Sequence, residues 1–173
     1  MAITANTPTR MLLDAGDAYI NGTDIGATKP TGNSFAVEQE IYFPELAGAK
    51  GGLSGTGKII KESATLTLTI PEITLANLIT AIPTLASSSD ATSEYTTLPD
   101  IGYVGTTPHV TVEWKGHNTN TKDVHIILYN AIAEGGLSLN LDDTGETVYE
   151  VTFRSYYTAS APTQRTWKIA IEK

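Results

Sequence analysis

The run Gly52-Leu53-Ser54-Gly55-Thr56-Gly57-Lys58 comes close to the glycine-rich loop that cradles nucleotide phosphates. That chemistry also needs a Ser or Thr after the lysine to hold magnesium, and a helix whose first amides face the phosphates. Ile59 follows Lys58, and the alternating residues beyond it read as a strand, so an NTP site is rejected. Ser54 is not in a nucleophile elbow, because Thr56 stands where the second glycine belongs. His109, His117 and His125 are evenly spaced. With a turn centred near Thr119, His125 comes across from Glu113 and His109 shares that face. Two imidazoles and a carboxylate form a zinc donor set. A cross-strand polar pair on a solvent or interface face is the preferred reading. Asp142, Asp143 and Glu146 lack the Asp-x-Asp-x-Asp-Gly spacing of a calcium loop, and a polar hairpin turn accounts for them. Asn21-Gly22-Thr23 is a glycosylation sequon in form, with no secretion signal beside it. The residue types therefore point away from catalysis, and the expectation is no enzyme, no cofactor and no metal.

The elements that position these residues come from a chain of 173 residues, long enough to bury one core as a single domain. It contains no cysteine, which excludes a disulfide framework, a thiolate nucleophile and Cys-ligated zinc. The first residues have no apolar stretch of signal-peptide length, and no run approaches a membrane span. The expectation is a protein made and folded in a cytoplasm. The net charge of −8 argues against gripping phosphates over a broad surface. It is compatible with a surface that DNA slides past.

Alternation of Thr with aliphatic residues, the period of half-buried strands, dominates the chain. Residues 1–10 read as a flexible arm and 11–20 as a first strand. Asn21-Gly22 is a two-residue hairpin signal, because both residues tolerate positive φ. Residues 23–27 return, and Lys29-Pro30-Thr31-Gly32 turns the chain. In 33–43, Phe35, Val37, Ile41 and Phe43 share a core-directed face with Gln39. Ser34, Ala36, Glu38, Glu40 and Tyr42 take the other face. Residues 44–58 are rich in glycine and have no periodicity, which marks a functional or mobile loop. A strand over 59–70 leads into a helix over 72–82, opened by Pro71-Glu72. Its apolar stripe is Leu75, Leu78, Ile79 and Ile82, and Pro83 ends it. Residues 87–99 read as a polar surface loop. Strands follow over 107–115, 123–131, 137–141, 147–157 and 167–171, the last with Trp167, Ile169 and Ile171 on one face. Trp114 and Trp167 alternate with aliphatic residues and read as core. The fold class expected is mainly β: an antiparallel β-sandwich or open barrel with one flanking α-helix.

The order of these pieces resembles the major tail proteins of siphophages, over roughly 11–172. The resemblance is carried by Ile25-Gly26-Ala27-Thr28-Lys29, Phe35-Ala36-Val37-Glu38-Gln39-Glu40-Ile41, the glycine-rich loop with Ala64-Thr65-Leu66-Thr67-Leu68 after it, and the helix. Val124-His125-Ile126-Ile127-Leu128-Tyr129-Asn130-Ala131 and Tyr149-Glu150-Val151-Thr152-Phe153-Arg154 complete it. No single piece is diagnostic.

The resemblance implies the phage tail tube fold, six-membered rings stacked into a tube, and localisation in the virion after assembly in the host bacterial cytoplasm. It implies as partners other copies of the chain, a tape-measure protein, a tail terminator and baseplate or tail-tip proteins. Genomic DNA would pass through the lumen without sequence-specific binding. It further implies that Pro44-Glu45-Leu46-Ala47-Gly48-Ala49-Lys50-Gly51-Gly52-Leu53-Ser54-Gly55 reaches into the adjacent ring. Within that reading Glu38 and Glu40 are candidates to line the bore, and Arg154 to pair with an acidic residue across a subunit boundary. Two alternatives remain at this point: the tube subunit of a contractile tail, tailocin or type VI-like secretion system, and a small ligand- or glycan-binding β-sandwich.

Overall fold

A computed structural model describes residues 12–44, 51, 55–82, 85–90, 92–97, 109–118, 123–140, 147–161 and 164–171. Strands β1 (Leu12–Ile20) and β2 (Thr23–Ala27) form a hairpin. Asn21 and Gly22 make its turn at φ 50° and 80°, so the dipeptide signal and the backbone agree. Strand β3 (Ser34–Tyr42) pairs with β4 (Lys58–Ile70). Helix α1 (Leu75–Ala81) follows, then a small hairpin of β5 (Ala86–Ser89) and β6 (Glu94–Thr97). Four more strands follow among the described residues: β7 (Val110–Asn118), β8 (Val124–Asn140), β9 (Val148–Ser155) and β10 (Trp167–Ile171). The fold is mainly β.

The main sheet has the order β2-β1-β7-β8-β9-β4-β3, with β10 also on β8, and all its pairings are antiparallel. One apolar cluster joins Ile20, Ile25 and Val112 from one end of that order to Leu66, Leu68, Val151 and Phe153 from the other. The sheet therefore curls over a single core, and Leu78 and Ile82 of the helix region close it.

β8 makes the curl possible. Against β7, three steps along β8 match two (Val110↔Ala131, Val112↔Leu128), and Asn130 in that bulge sits at φ 52°. Against β9, four steps match two (Glu134↔Thr152, Ser138↔Glu150), with Gly135 at φ 91°. Bulges bend a strand and increase its twist, so one strand serves both halves of the sheet. This corrects the sequence reading, which divides β8 into two strands. Three further differences are local. The helix starts at Leu75, because Thr74 rather than Pro71-Glu72 caps it: the Thr74 hydroxyl accepts the Asn77 amide at 3.1 Å. Residues 87–97, expected as loop, form most of the β5–β6 hairpin. Its turn is held by the Asp90 carboxylate, which accepts the Thr92 and Ser93 amides at 2.8 Å each. Those amides also lower its pKa.

A buried polar hub fixes the start of β3. The Thr28 hydroxyl donates to the Gly16 carbonyl at 2.7 Å and accepts from the Trp114 indole at 3.1 Å. Asn33 donates to Thr28 and to the Lys29 carbonyl, and its side-chain oxygen accepts the Thr69 amide at 2.9 Å.

Tyr149 is fully buried, yet its hydroxyl meets no hydrogen-bond partner among the described residues. Burial, with the Glu72 charge second, pushes its pKa from 10.0 up to about 12. Because the folded value is the higher one, this contribution is complete below pH 10 and is lost as pH climbs through 12. Steepened alkaline unfolding across that window is the expected result in a pH titration followed by circular dichroism, and Tyr149→Phe should flatten it. At neutral pH the same substitution removes an unsatisfied buried group. It should leave stability unchanged or raise it by up to about 1 kcal/mol.

Candidate assembly surfaces

Three surfaces stand out from the core upward. The first is the polar face of the four adjacent strands β3, β4, β9 and the C-terminal half of β8. Core-directed residues alternate with it: Phe35 opposes Leu66, which opposes Phe153. The other face carries Ser34, Ala36, Glu38 and Glu40 on β3, opposite Thr67, Thr65, Ser63 and Lys61 on β4. Arg154, Thr152 and Glu150 of β9 and Ile132, Glu134 and Ser138 of β8 continue it. A Thr67–Thr152 hydroxyl pair at 3.0 Å braces it. Glu38 and Glu40 are exposed on this face. Its four carboxylates, Glu38, Glu40, Glu134 and Glu150, outnumber its two cations, and both cations sit beside acids: Lys61 stands opposite Glu40 and Arg154 lies 3.5 Å from Glu134. Tyr156 also donates its hydroxyl to Glu134, and that bond is the main reason its pKa is raised. Within the chain, then, Arg154 already has an acid beside it. A groove of about 590 Å³ opens where β9 ends beside β4, lined by Glu38, Glu40, Lys61, Arg154, Tyr156 and Tyr157 among others.

The second surface is the outer part of the β3–β4 hairpin. The core face runs out at a polar belt: Gln39 donates to Glu62 at 2.6 Å, and the Trp167 indole donates to the same carboxylate at 2.9 Å. Trp167 also packs on Phe35 with ring centroids 5.7 Å apart, and it is half-buried rather than central to the core. Past the belt, β4 bulges (Glu40↔Lys61, Ile41↔Ile59). There Ile41, Phe43 and Ile59 are 49%, 44% and 52% exposed. Strand alternation assigns Ile41 and Phe43 to the core face, and they do lie on its extension, but nothing in the described chain covers them. Gly57 lies under the Phe43 ring, where a Cβ would come within 2.7 Å of it. Of the loop expected to reach outward, Pro44 is half-buried, and Gly51 and Gly55 are exposed. Glu45 to Lys50 and Gly52 to Ser54 lie outside the described residues. Lys58 opens a strand, so the helix that a phosphate loop requires is not there.

The third surface is β10, where Ile169 and Ile171 are 50% and 65% exposed beside Ile126 and Val124. Alternation alone would bury them. Ile171 stands opposite Val124, the first residue of β8, at the rim of the sheet.

The two described histidine side chains do not converge on one site. His125 bonds Glu113 at 2.6 Å through Nδ1, with Lys115 4.0 Å from the same carboxylate. His109 is exposed and meets the Tyr156 ring edge-on at 6.4 Å. The His117 side chain and Asp142 to Glu146 lie outside the described residues. Among the described residues no group of three His, Cys, Asp or Glu gathers as a metal site, and no helix is long and apolar enough to cross a membrane. No protein-family model matches the chain, and no curated protein matches it.

Proposed function

We propose that the chain is a structural subunit that joins edge to edge into six-membered rings, which stack as a bacteriophage tail tube and conduct DNA. The observation that carries this reading is the pair of open borders on the four-strand unit. β3 is paired on one side only, and residues 132–140 of β8 run past the last β7 partner at Ala131. Both borders are open among the described residues. Long open borders are a liability in a lone soluble domain, and ring closure removes them.

Geometry favours closure by rotation. Four antiparallel strands leave the two borders running in opposite directions. Rotation about a ring axis preserves direction, so each new seam is antiparallel as well. Six copies of four strands, spaced about 4.8 Å and tilted about 40°, enclose a backbone radius of about 24 Å, wide enough for a DNA duplex. The hydroxyl-rich face would line that bore. With its cations matched by carboxylates, it offers sliding phosphates few fixed charges to bind. The six-fold number and the tail come from the resemblance. The outer hairpin, apolar and uncovered, is the natural contact to the next ring.

Electron microscopy of the concentrated protein tests this. Rings or tubes about 100 Å across are expected, from six domains each about 35 Å wide around a bore. A strict monomer at every concentration, above all one that binds a glycan through Tyr156 and Tyr157, would refute the tube.

A further inference from the structure

The two open borders differ in ways that determine how they meet. On the core side, the described apolar side chains at the β3 border are Phe35 and Val37, both half-buried, and the exposed Ile41 past the polar belt. At the β8 border they are Ala133 and Leu139, and Leu139 is 41% exposed although it stands opposite the fully buried Tyr149. On the polar side, β3 carries Glu38 and Glu40. The β8 side carries Glu134, with Arg154 one strand further in, opposite Ile132. Arg154 has one ion-pair partner at 3.5 Å, and its Nε is buried with no hydrogen-bond acceptor among the described residues.

Pairing like with like needs two different two-fold contacts, β3 on β3 and β8 on β8, and closes no ring with a single contact. The mixed seam is one contact that repeats around a closed ring, and it gives Leu139 an apolar neighbour. We propose that residues 132–140 of β8 in one copy pair antiparallel with β3 of a second copy, seating Leu139 against Phe35 or Val37. Facing residues share a side of the sheet. With the two-residue bulge of β8 carried across the seam, Leu139 opposite Phe35 puts Glu38 opposite Glu134. Leu139 opposite Val37 puts Glu40 there instead. In both registers Glu134 stands between its own chain's Arg154, one strand further in on β9, and a β3 carboxylate of the neighbour. The Arg154 guanidinium offsets the like charges, and the apolar contact continues the core from one copy into the next. This inference rests on the self-assembly reading and deepens it by naming the seam.

Disulfide trapping tests it, and the absence of native cysteine keeps the readout clean. Two intervening strands put β3 and β8 about 14 Å apart within one chain, too far for a disulfide. A bond between them therefore joins two copies. Phe35→Cys/Leu139→Cys and Val37→Cys/Leu139→Cys are oxidised in assembled particles, with Leu139→Cys alone and Leu139→Cys/Ile171→Cys as controls. A ladder of covalent oligomers ending at the ring number, from either seam pair and neither control, is the expected result. Particles that form normally but cross-link only in a control overturn the seam and leave the tube reading standing, as do particles that never cross-link. Wild-type protein that never assembles overturns both. A second readout addresses the charge. Arg154→Glu should cut ring yield at least tenfold, and adding Glu38→Lys and Glu40→Lys should restore most of it. Ring yield unmoved by Arg154→Glu sinks this role of the guanidinium.

Discussion

Tubes should be lost, and the subunit kept, when Ile41, Phe43 and Ile59 are replaced together by serine. In the isolated chain these side chains are about half exposed. Removing them takes little from the core, and surface changes of this kind usually stay within about 0.5 kcal/mol each. In a stacked tube the same groups leave water. Full burial of such a side chain contributes about 1.5–3 kcal/mol, so completing a half-made burial contributes about 1 kcal/mol per residue. Three residues give about 3 kcal/mol per copy, more than a hundredfold in the contact constant. A ring-to-ring joint repeats that contact around the ring, so the joint should fail outright. Circular dichroism should show an unchanged thermal midpoint while microscopy shows single rings or monomers. Tubes of ordinary length from the triple variant would mean that the outer hairpin does not join rings.

The variant also separates the two levels of assembly. The seam uses Leu139 and the body of β3, whereas the hairpin substitutions lie past the Gln39–Glu62–Trp167 belt. Rings without tubes would assign edge pairing to one surface and stacking to the other.

How much of this the sequence disclosed depends on the range of the force involved. Local signals were legible. Asn21-Gly22 gave its turn, and alternation gave β2 and β10 with their observed bounds. The His125–Glu113 contact was legible, but its register was not: Lys115 stands opposite His125, and Glu113, opposite Ile127, reaches the imidazole diagonally. Signals that depend on distant partners were not. The bend in β8 is made by Asn130 and Gly135 inside a continuous ladder, and glycine-rich sequence there reads as a break. β5 and β6 are Ser- and Thr-rich, and pairing with each other makes them strands. Phe35 and Phe43 have the same parity, yet the first packs on the core while the second, one residue past the end of β3, is exposed. The difference is the length of the opposing strands. For the candidate site, Glu38 and Glu40 could be placed on a face from sequence. Leu139, which defines the proposed seam, could not, because its exposure depends on β8 running past its last described β7 partner at Ala131.

Gly16→Ala should cost about 3 kcal/mol, a drop in thermal midpoint of roughly 10 °C for a domain of this size. Gly16 stands opposite Gly116 in the β1–β7 ladder, and the Trp114 indole lies across both. A Cβ on Gly16 would sit 2.3 Å from the indole ring and 2.4 Å from the Lys115 carbonyl oxygen. No side chain tolerates such distances, and a backbone carbonyl cannot rotate away as a flexible side chain can. If the ring moves instead, its bond to Thr28 breaks, and Thr28 also holds the Gly16 carbonyl and Asn33. The substitution therefore exchanges one methyl for a strained strand or a dismantled buried hub, and an unpaired buried polar group adds about 1–3 kcal/mol. Gly51→Ala is the control, since a Cβ there meets nothing within 4 Å. Trp114 fluorescence should shift to longer wavelength in Gly16→Ala as the indole loses its packing. A Gly16→Ala midpoint within 1–2 °C of wild type would mean that the β1–β7 ladder yields more easily than close packing allows. The Thr28 hub could then not be what fixes the start of β3, and with it the border on which ring closure depends.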